Sequence, residues 1–283
     1  MFPISRFIGN LIKKFHNEYF GALEKVPKIQ LKRVMKERPK IGMAVLCFER
    51  PEYLEKCLNS LFNTNIYDYD ISFLLIDDGS KDPRVRELIE APRGPIYKIT
   101  RVFTAKGPNS WGGAFNKAIR HLMEIDDFDI IGTCDSDAYF HPEWLRETLR
   151  IAKWAKENHR ENTLGPFSSF NSSDQDFHEI MGTYQSPYGK YVVKKRMGAL
   201  NYFYYKDDFL KLGFFDEDRD DETKMTEHFK KLRVRNFSTY ISYVEHLGEE
   251  SILNNWRPVA VKNHAYATNK AHGNWLKKIN GDG

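Results

Sequence analysis

Two aspartates, Asp135 and Asp137, follow a run of apolar residues in the segment IIGTCDSDAYF. The run predicts a buried strand, so both carboxylates would lie at its carboxyl end. One or two carboxylates are enough to hold Mg²⁺ or Mn²⁺ when phosphate oxygens complete the coordination. An Asp-rich turn that merely ends a strand is the alternative. The spacing therefore predicts a divalent-cation site, which the rest of the chain must support.

Polar residues also follow two earlier apolar runs. The run IGMAVLCF ends at Phe48 and is followed by Glu49 and Arg50, and the run ISFLLIDD ends in Asp77 and Asp78. A carboxylate at the second strand end can accept a hydrogen bond from a nucleobase N–H or a ribose hydroxyl, although DDGS is also an ordinary turn sequence. Arg50 can face a diphosphate or can pair structurally with Glu49 or Asp78.

The elements that position these residues alternate between strands and helices. Helical spacing or helix signals follow the first, second and third strands, over residues 51–62, 83–90 and 113–125, and a long helix is predicted over 143–159. This alternation predicts βαβ units with right-handed crossovers and a mainly parallel sheet. Ligands bind outside the carboxyl ends of the strands in such sheets, so the three polar strand ends should share one rim.

The second part of the chain has a more mixed pattern. We predict a strand at TLGPFSSF, a polar loop over 171–190, a strand or hairpin at YVVKKRMGALNYFYY, a helix beginning near Asp221, and a strand in FSTYISYVEHLG that ends at His246. No Gly- or Pro-rich linker separates two domains. Residues 249–283 read as a tail with local helix.

Composition and charge restrict the class of protein. The 283 residues are 41% hydrophobic and 29% charged, as in soluble globular proteins. Three widely spaced cysteines predict reduced, buried thiols. No run approaches the roughly 20 apolar residues of a membrane span, and no signal-peptide pattern opens the chain. We therefore expect a cytoplasmic protein.

The positive charge is concentrated at the beginning of the chain. Residues 1–40 contain ten Lys and Arg against three Glu, whereas the whole chain has a net charge of only +4. Residues 1–39 form a basic leader with apolar residues near helical spacing. Such a helix can lie on the inner face of an anionic membrane, as a peripheral contact, or can pack on its own protein or on a second subunit.

From Lys40 to about Gly248 the chain resembles a family-2-type glycosyltransferase with the GT-A fold. The segments that carry the resemblance are, in order, CFERPEYLEKCLNSLFNT, LLIDDGSKD, the DXD-like CDSDAYF, GFFDE followed by TEHFKKLR, and YVEHLGEES. Each motif alone is weak, but their order across roughly 200 residues is specific. The resemblance implies an α/β fold with a nucleotide-binding half (40–140), a mixed acceptor half (141–248), the leader and a tail (249–283) that packs on the catalytic domain.

The resemblance also implies roles for individual residues on the donor side. Asp137 would be the main cation ligand, and Asp135 would contact the ribose or a bound water, or share the cation. One of the carboxylates of the DDGS segment would contact a uracil or thymine ring. The donor would be a UDP- or dTDP-sugar, and the cofactor Mn²⁺ or Mg²⁺. The remaining donor-side residues implied are Phe48, Arg50, Gly113 and Asn116, with His246 as a further metal ligand and His264 as its competitor.

On the acceptor side, Glu227 is the candidate general base, since a hydroxyl must lose its proton to attack the anomeric carbon. Relatives often carry Glu-Asp or Asp-Asp here, whereas this chain has Glu227-His228. His228 is therefore a further acceptor-side candidate. The acidic segment 216–222 offers rival carboxylates, of which Asp216 and Asp221 are the leading ones. The predicted reaction is an inverting transfer to a hydroxyl of a glycan or lipid-linked glycan. A nucleic-acid or protein acceptor, or a non-catalytic nucleotide-sugar or glycan-binding module, is the alternative, and the oligomeric state stays open.

Overall fold

The computed structural model describes most of the chain between residues 38 and 247. The described ranges are 38–66, 69–93, 97–105, 111–159, 163–171, 180–195, 200–215 and 222–247. Residues 1–37 of the predicted leader, the tail 249–283, Asp216 and His264 lie outside them. Among the described helices, none is long and apolar enough to cross a bilayer.

The described residues form eleven strands and six helices. The strands are β1 (Lys40–Cys47), β2 (Asp70–Asp77), β3 (Lys98–Phe103), β4 (Ile130–Asp135), β5 (Ala138–Phe140), β6 (Leu164–Ser168), β7 (Ile180–Ser186), β8 (Gly189–Lys194), β9 (Asn201–Tyr205), β10 (Arg235–Thr239) and β11 (Val244–His246). The helices are α1 (Pro51–Phe62), α2 (Pro83–Glu90), α3 (Trp111–Ile125), α4 (Trp144–Asn158), α5 (Lys206–Leu212) and α6 (Glu222–Lys231).

Nine of these strands form one sheet in the order β3-β2-β1-β4-β9-β6-β10-β8-β7. Strands β1 to β4 are parallel to one another, as the alternating pattern predicted. We call these four strands the parallel half. β1 is buried along almost its whole length, which explains its continuous apolar sequence.

The remaining five strands, β6 to β10, are the mixed half. β9 is antiparallel to β4 and β6, β10 is parallel to β6, and β8 is antiparallel to β10 and β7. The α/β class with a mixed second part is therefore confirmed. Three local predictions were wrong: the loop predicted over 171–190 contains β7, the suggested hairpin is two strands that do not pair with each other, and the strand predicted to end at His246 is divided into β10 and β11.

Helices cover both faces of the sheet and create two apolar cores. One core packs α1, α2 and α4 against the sheet, and the other packs α3, α5 and Phe229 of α6 against the opposite face. The sheet strands approach closely at Gly132 in β4, where a Cβ atom would lie 2.3 Å from the Phe203 ring of β9. Only glycine fits there, because a side chain would displace a buried aromatic ring.

A second, two-stranded sheet pairs β5 with β11 in antiparallel orientation. β5 begins one residue after Asp137, and its residue Ala138 pairs with His246. The Leu247 backbone N–H also donates to the Asp137 carbonyl oxygen at 2.8 Å. This small sheet therefore brings a distant part of the chain beside the end of β4.

Candidate active site

The polar strand ends of the parallel half meet at one rim. Cys47 of β1 pairs with Asp77 of β2, and Leu46 of β1 pairs with Asp135 of β4. Residues Phe48 to Arg50, which follow β1, therefore lie between the carboxylates of its two neighbours. This is the arrangement that parallel strands require, and it makes the rim the candidate site.

The two carboxylates at the end of β2 have different surroundings. Asp77 is buried, and its Oδ1 accepts hydrogen bonds from the Ser80 backbone N–H at 3.0 Å and the Ser80 hydroxyl at 2.6 Å. Asp78 is partly exposed and forms an ion pair with Lys117 of α3. The Lys117 ammonium also donates to the Thr104 hydroxyl at 3.0 Å. Asp77 therefore shapes the turn, whereas Asp78 and Lys117 present a carboxylate and an ammonium side by side.

At the end of β4, Asp135 is tied to the start of α3. Its Oδ1 accepts a hydrogen bond from the Trp111 indole N–H at 2.9 Å. The Trp111 ring contacts Phe215 edge-on, with 4.9 Å between ring centroids. The position of the Asp135 carboxylate is therefore linked to the segment that leads toward α6.

Asp137 lies between the side chains of Arg50 and His246. Its Oδ2 accepts a hydrogen bond from Arg50 Nη1 at 2.9 Å and contacts His246 Nε2 at 3.1 Å. Burial opposes ionisation of Asp137, but the hydrogen bond from His246 and the charges of His246 and Arg50 outweigh it and lower the pKa of Asp137. Burial likewise opposes protonation of His246, yet its hydrogen bond to Asp137 and the nearby carboxylate charges raise the pKa of His246.

The second oxygen of Asp137 makes the site suitable for a cation. Asp137 Oδ1 is buried and has no hydrogen-bond partner among the described residues. An ionised carboxylate oxygen left in this state is costly unless a ligand completes it. No three or more His, Cys, Asp or Glu side chains cluster around a possible metal position in the described part of the chain. A site that uses one or two carboxylates and leaves the other positions to phosphate and water fits these residues.

The backbone that delivers Arg50 is strained. Glu49 has φ 50° and Arg50 has φ 56°, so two consecutive residues other than glycine adopt the left-handed conformation. Each such residue costs about 1 to 3 kcal/mol and persists only when its surroundings hold it. Arg50 is the N-cap residue of α1, and its guanidinium also lies 4.2 Å from the centroid of the Tyr53 ring. It pairs with Asp137 and not with Glu49 or Asp78, the structural partners suggested by the sequence.

Two of the predicted acceptor-side residues, Glu227 and His228, lie on α6. Both are exposed, whereas the next residue, Phe229, is buried against the sheet. His228 Nε2 lies 2.8 Å from the Leu212 carbonyl oxygen, so this ring joins α6 to the end of α5. Among the described residues, Glu227 has no hydrogen-bond or ion-pair partner.

Two of the donor-side candidates, Gly113 and Asn116, lie on α3. The Asn116 side chain is fully buried, donates to the Phe215 carbonyl oxygen at 2.8 Å and accepts from the Phe215 N–H at 2.9 Å. It therefore fastens α3 to the segment after α5. Gly113 is also buried in the first turn of α3, and Phe48 is half-buried directly after β1.

Three residues near this rim were not singled out from the sequence. Trp111 and Lys117 contact Asp135 and Asp78 from α3, and nothing in their local sequence indicates those partners. The third is Glu245, next to His246, where burial raises the pKa of the carboxyl group to about 7. A charged residue within an apolar strand was the available signal for Glu245.

Solved structures share this fold. The mannosyltransferase PcManGT from Pyrobaculum calidifontis, in complex with GDP-Man and Mn²⁺, superposes with a TM-score of 0.51 at 16% identity over 78% of this chain and 60% of that chain. TarS 1–349 from S. aureus, in complex with UDP-GlcNAc, superposes with a TM-score of 0.53 at 16% identity over 77% of this chain and 61% of that one. This chain thus spans about three fifths of each of these proteins. At such low identity the similarity establishes the fold alone.

Sequence comparison identifies the family. No curated protein matches the chain significantly in sequence. The profile of glycosyl transferase family 2, however, matches residues 43–209, which are more than half of the chain and run from within β1 to within α5. The chain therefore belongs to glycosyl transferase family 2 and has the GT-A fold.

Proposed function

We propose that this protein is a glycosyltransferase that moves a sugar from a UDP- or dTDP-linked donor to an acceptor hydroxyl, with inversion and with dependence on Mn²⁺ or Mg²⁺. The observation that carries the proposal is the state of the Asp137 carboxylate. Its carboxylate is buried at the carboxyl end of β4, and one oxygen has no hydrogen-bond partner in the described part of the chain. The same rim bears Asp77 and Asp78, which suit a nucleoside.

Asp137, with Asp135 and His246 beside it, would hold the divalent cation. When bound, the cation would neutralise the charge that develops on the departing diphosphate. Arg50 supports the same task from the protein, because its guanidinium already lies at 2.9 Å from Asp137 and is only partly buried. His246 fixes the orientation of the Asp137 carboxylate from the other side. Arg50 and His246 both contact Oδ2 of Asp137, which would leave Oδ1 of Asp137 available to the ligand.

The base and ribose of the donor are assigned to the end of β2. Asp78 Oδ1 is engaged by Lys117, which leaves the other Asp78 oxygen to accept one N–H from a pyrimidine ring. The Lys117 ammonium can in turn donate to a ring carbonyl. Asp77, whose Oδ1 is occupied by Ser80, supports this loop and contributes its second oxygen to the ribose.

The acceptor hydroxyl would attack from the side of α6 in a single in-line displacement. Glu227 is proposed as the general base that takes the proton, because a carboxylate within hydrogen-bond reach of the hydroxyl performs this role. Its exposure leaves it accessible to an acceptor. His228 and Asp216 are proposed to contact the acceptor. The displacement inverts the anomeric centre because the nucleophile and the leaving group lie on opposite faces of the sugar.

For the acceptor we propose a glycan or lipid-linked glycan, which the basic leader (residues 1–39) would reach at the inner face of a membrane. A nucleic acid would be attracted by the same charge. Full-length protein that is retained on anionic liposomes but not on DNA supports the first acceptor class. Retention on DNA alone, with steep salt dependence, contradicts it.

The donor side is tested by a thermal-shift screen of nucleotide sugars with and without Mn²⁺. A rise in melting temperature that requires both one donor and the metal names the substrate, since a ligand that binds only the folded state stabilises it. Glu227→Gln should then keep this shift and abolish transfer. If Glu227→Gln still transfers the sugar, another residue is the general base. If the unaltered protein binds donors without transfer or hydrolysis, it is a binding module.

A further inference from the structure

The residue that precedes Arg50 has an unusually complete set of contacts. The Glu49 backbone N–H donates to the Ser80 hydroxyl at 2.8 Å. Its carboxylate accepts from the Lys81 backbone N–H at 2.9 Å and from the Asp82 backbone N–H at 3.3 Å, one on each oxygen. Glu49 therefore joins the loop after β1 to the loop after β2 through three hydrogen bonds.

These contacts hold the strained part of the rim. Glu49 and Arg50 are the two consecutive residues in the left-handed conformation, which side chains other than glycine rarely adopt. Without these hydrogen bonds the backbone at Glu49 and Arg50 would relax, and the Arg50 side chain would then point in a different direction. A strained backbone that is fixed by its neighbours at a ligand-facing rim is a common sign of functional positioning.

The bonds form a continuous path across the site. Asp77 accepts from Ser80, Ser80 accepts from Glu49, and Arg50 donates to Asp137. The path therefore runs from the carboxylate assigned to the nucleoside to the carboxylate assigned to the cation. Glu49 is the member that joins its two ends, and it touches neither of those carboxylates itself.

We propose that Glu49 is a positioning residue, which rests on the proposed function. By bonding the 80–82 loop it fixes the left-handed turn that aims the Arg50 guanidinium at Asp137 Oδ2. Arg50 then occupies that oxygen, which would leave Asp137 Oδ1 available to the cation. Glu49 acts only through Arg50, so its contribution should vanish when Arg50 is absent.

Glu49→Ala removes the carboxylate that the two loop amides require. We expect the apparent Kd of Mn²⁺ with UDP, measured by calorimetry, to rise about 10-fold to 100-fold, as for other residues that orient a metal ligand. Glu52→Ala is the matched control, because Glu52 is an exposed carboxylate at the start of α1 whose ion-pair partner among the described residues is Arg84 on the surface. It should leave the Kd and the transfer rate unchanged.

Two further variants separate positioning from general destabilisation. Glu49→Gly relieves the left-handed backbone and should therefore keep the melting temperature, yet it should weaken Mn²⁺ and UDP binding as Glu49→Ala does. Glu49→Gln keeps one strong acceptor and should recover part of the affinity. Normal binding by Glu49→Gly would mean that Glu49 only occupies a strained position, which overturns the proposal.

The coupling to Arg50 is tested by the double variant Glu49→Ala/Arg50→Ala. Its Kd should equal that of Arg50→Ala alone, because two residues that act through one group are not additive. Additive losses, or a Glu49→Ala protein that binds like Glu52→Ala, overturn the positioning role while the unaltered protein still binds Mn²⁺ with a nucleotide. Failure of the unaltered protein to bind any nucleotide with Mn²⁺ overturns the proposed function, and the role of Glu49 with it.

Discussion

The parallel half and the mixed half of the sheet use polar residues in opposite ways. In the parallel half, carboxylates follow the strand ends and are held by partners from neighbouring loops and helices, as Asp77 is by Ser80 and Asp137 by Arg50. In the mixed half, polar side chains lie within the sheet itself. Several of their atoms are buried with no hydrogen-bond partner among the described residues, including Tyr204 Oη, Asn236 Oδ1 and Ser238 Oγ.

This difference indicates how the molecule divides its tasks. A rim whose carboxylates are fixed before the ligand arrives loses little further freedom on binding, so the parallel half suits a donor that is always the same. Unsatisfied atoms within the mixed half cost stability. Among the described residues of β1 to β4 and the rim, only Thr133 Oγ1 within β4 and Asp137 Oδ1 at the rim are in the same state. Mutations in the two halves should therefore change different properties.

The largest effect on ligand binding is expected at the rim. Asp137→Asn removes the charge that Arg50 and His246 face, so Mn²⁺-dependent nucleotide binding should weaken by about 100-fold or more. Calorimetry and transfer assays measure the loss. Asp126→Asn is the control, since this carboxylate pairs with Lys40 at the opposite end of the sheet. If Asp137→Asn retains Mn²⁺-dependent transfer, the rim of the parallel half is not the donor site.

In the second part of the chain, stability should be the property that changes. Lys156 of α4 donates to Asp208 and to the Leu164 carbonyl oxygen, both at 2.6 Å, and both charged side chains are almost fully buried. Lys156→Met leaves Asp208 as a buried charge and should lower the free energy of unfolding by about 3 to 5 kcal/mol. Lys98→Met, in an exposed pair with Asp70, should change it little. Denaturant titration measures both, and equal effects would contradict the distinction.

A smaller effect is expected at the base-side pair. Lys117→Met removes the cation beside Asp78, so UDP binding in the presence of Mn²⁺ should weaken about 10-fold, which corresponds to one charge-assisted hydrogen bond. The melting temperature should stay close to that of the unaltered protein, because Lys117 is partly exposed. Unchanged affinity for every nucleotide tested would remove Lys117 from the donor site.

The smallest effect tests the mixed half in the opposite direction. Tyr204→Phe removes a hydroxyl that is fully buried and has no hydrogen-bond partner in the described part of the chain. The free energy of unfolding should rise by about 1 kcal/mol or stay constant, because no hydrogen bond is lost. Tyr191→Phe, whose hydroxyl contacts His159 at 3.2 Å, should not be stabilised. A clear loss of stability in Tyr204→Phe would mean that its hydroxyl is satisfied.

The sequence predicted the parallel half well because burial on both faces imposes continuous apolar runs that end in polar residues. It failed where that constraint is absent. β7 is an exposed edge strand whose sequence does not alternate between apolar and polar residues, and β5 and α5 are short. The segment from β10 to β11 is rich in strand-forming residues throughout, although its two strands belong to different sheets.

Contacts within the site were harder to predict than its elements. The rim carboxylates are visible in the sequence, but the partner of Arg50 is 87 residues away, and Asn116 bonds a residue 99 positions distant. Such pairings depend on how the helices pack against the sheet. A motif can place a side chain at a strand end and still leave its hydrogen bonds undetermined.

The pairing of β5 with β11 has a consequence for synthesis of the protein. His246 reaches Asp137 only when 109 further residues have been translated, which takes several seconds at about 5 to 20 residues per second. During that interval Asp137 lacks its imidazole partner and β5 lacks its partner strand. A chain that terminates before residue 246 should therefore bind Mn²⁺ with a nucleotide more weakly than the full-length protein.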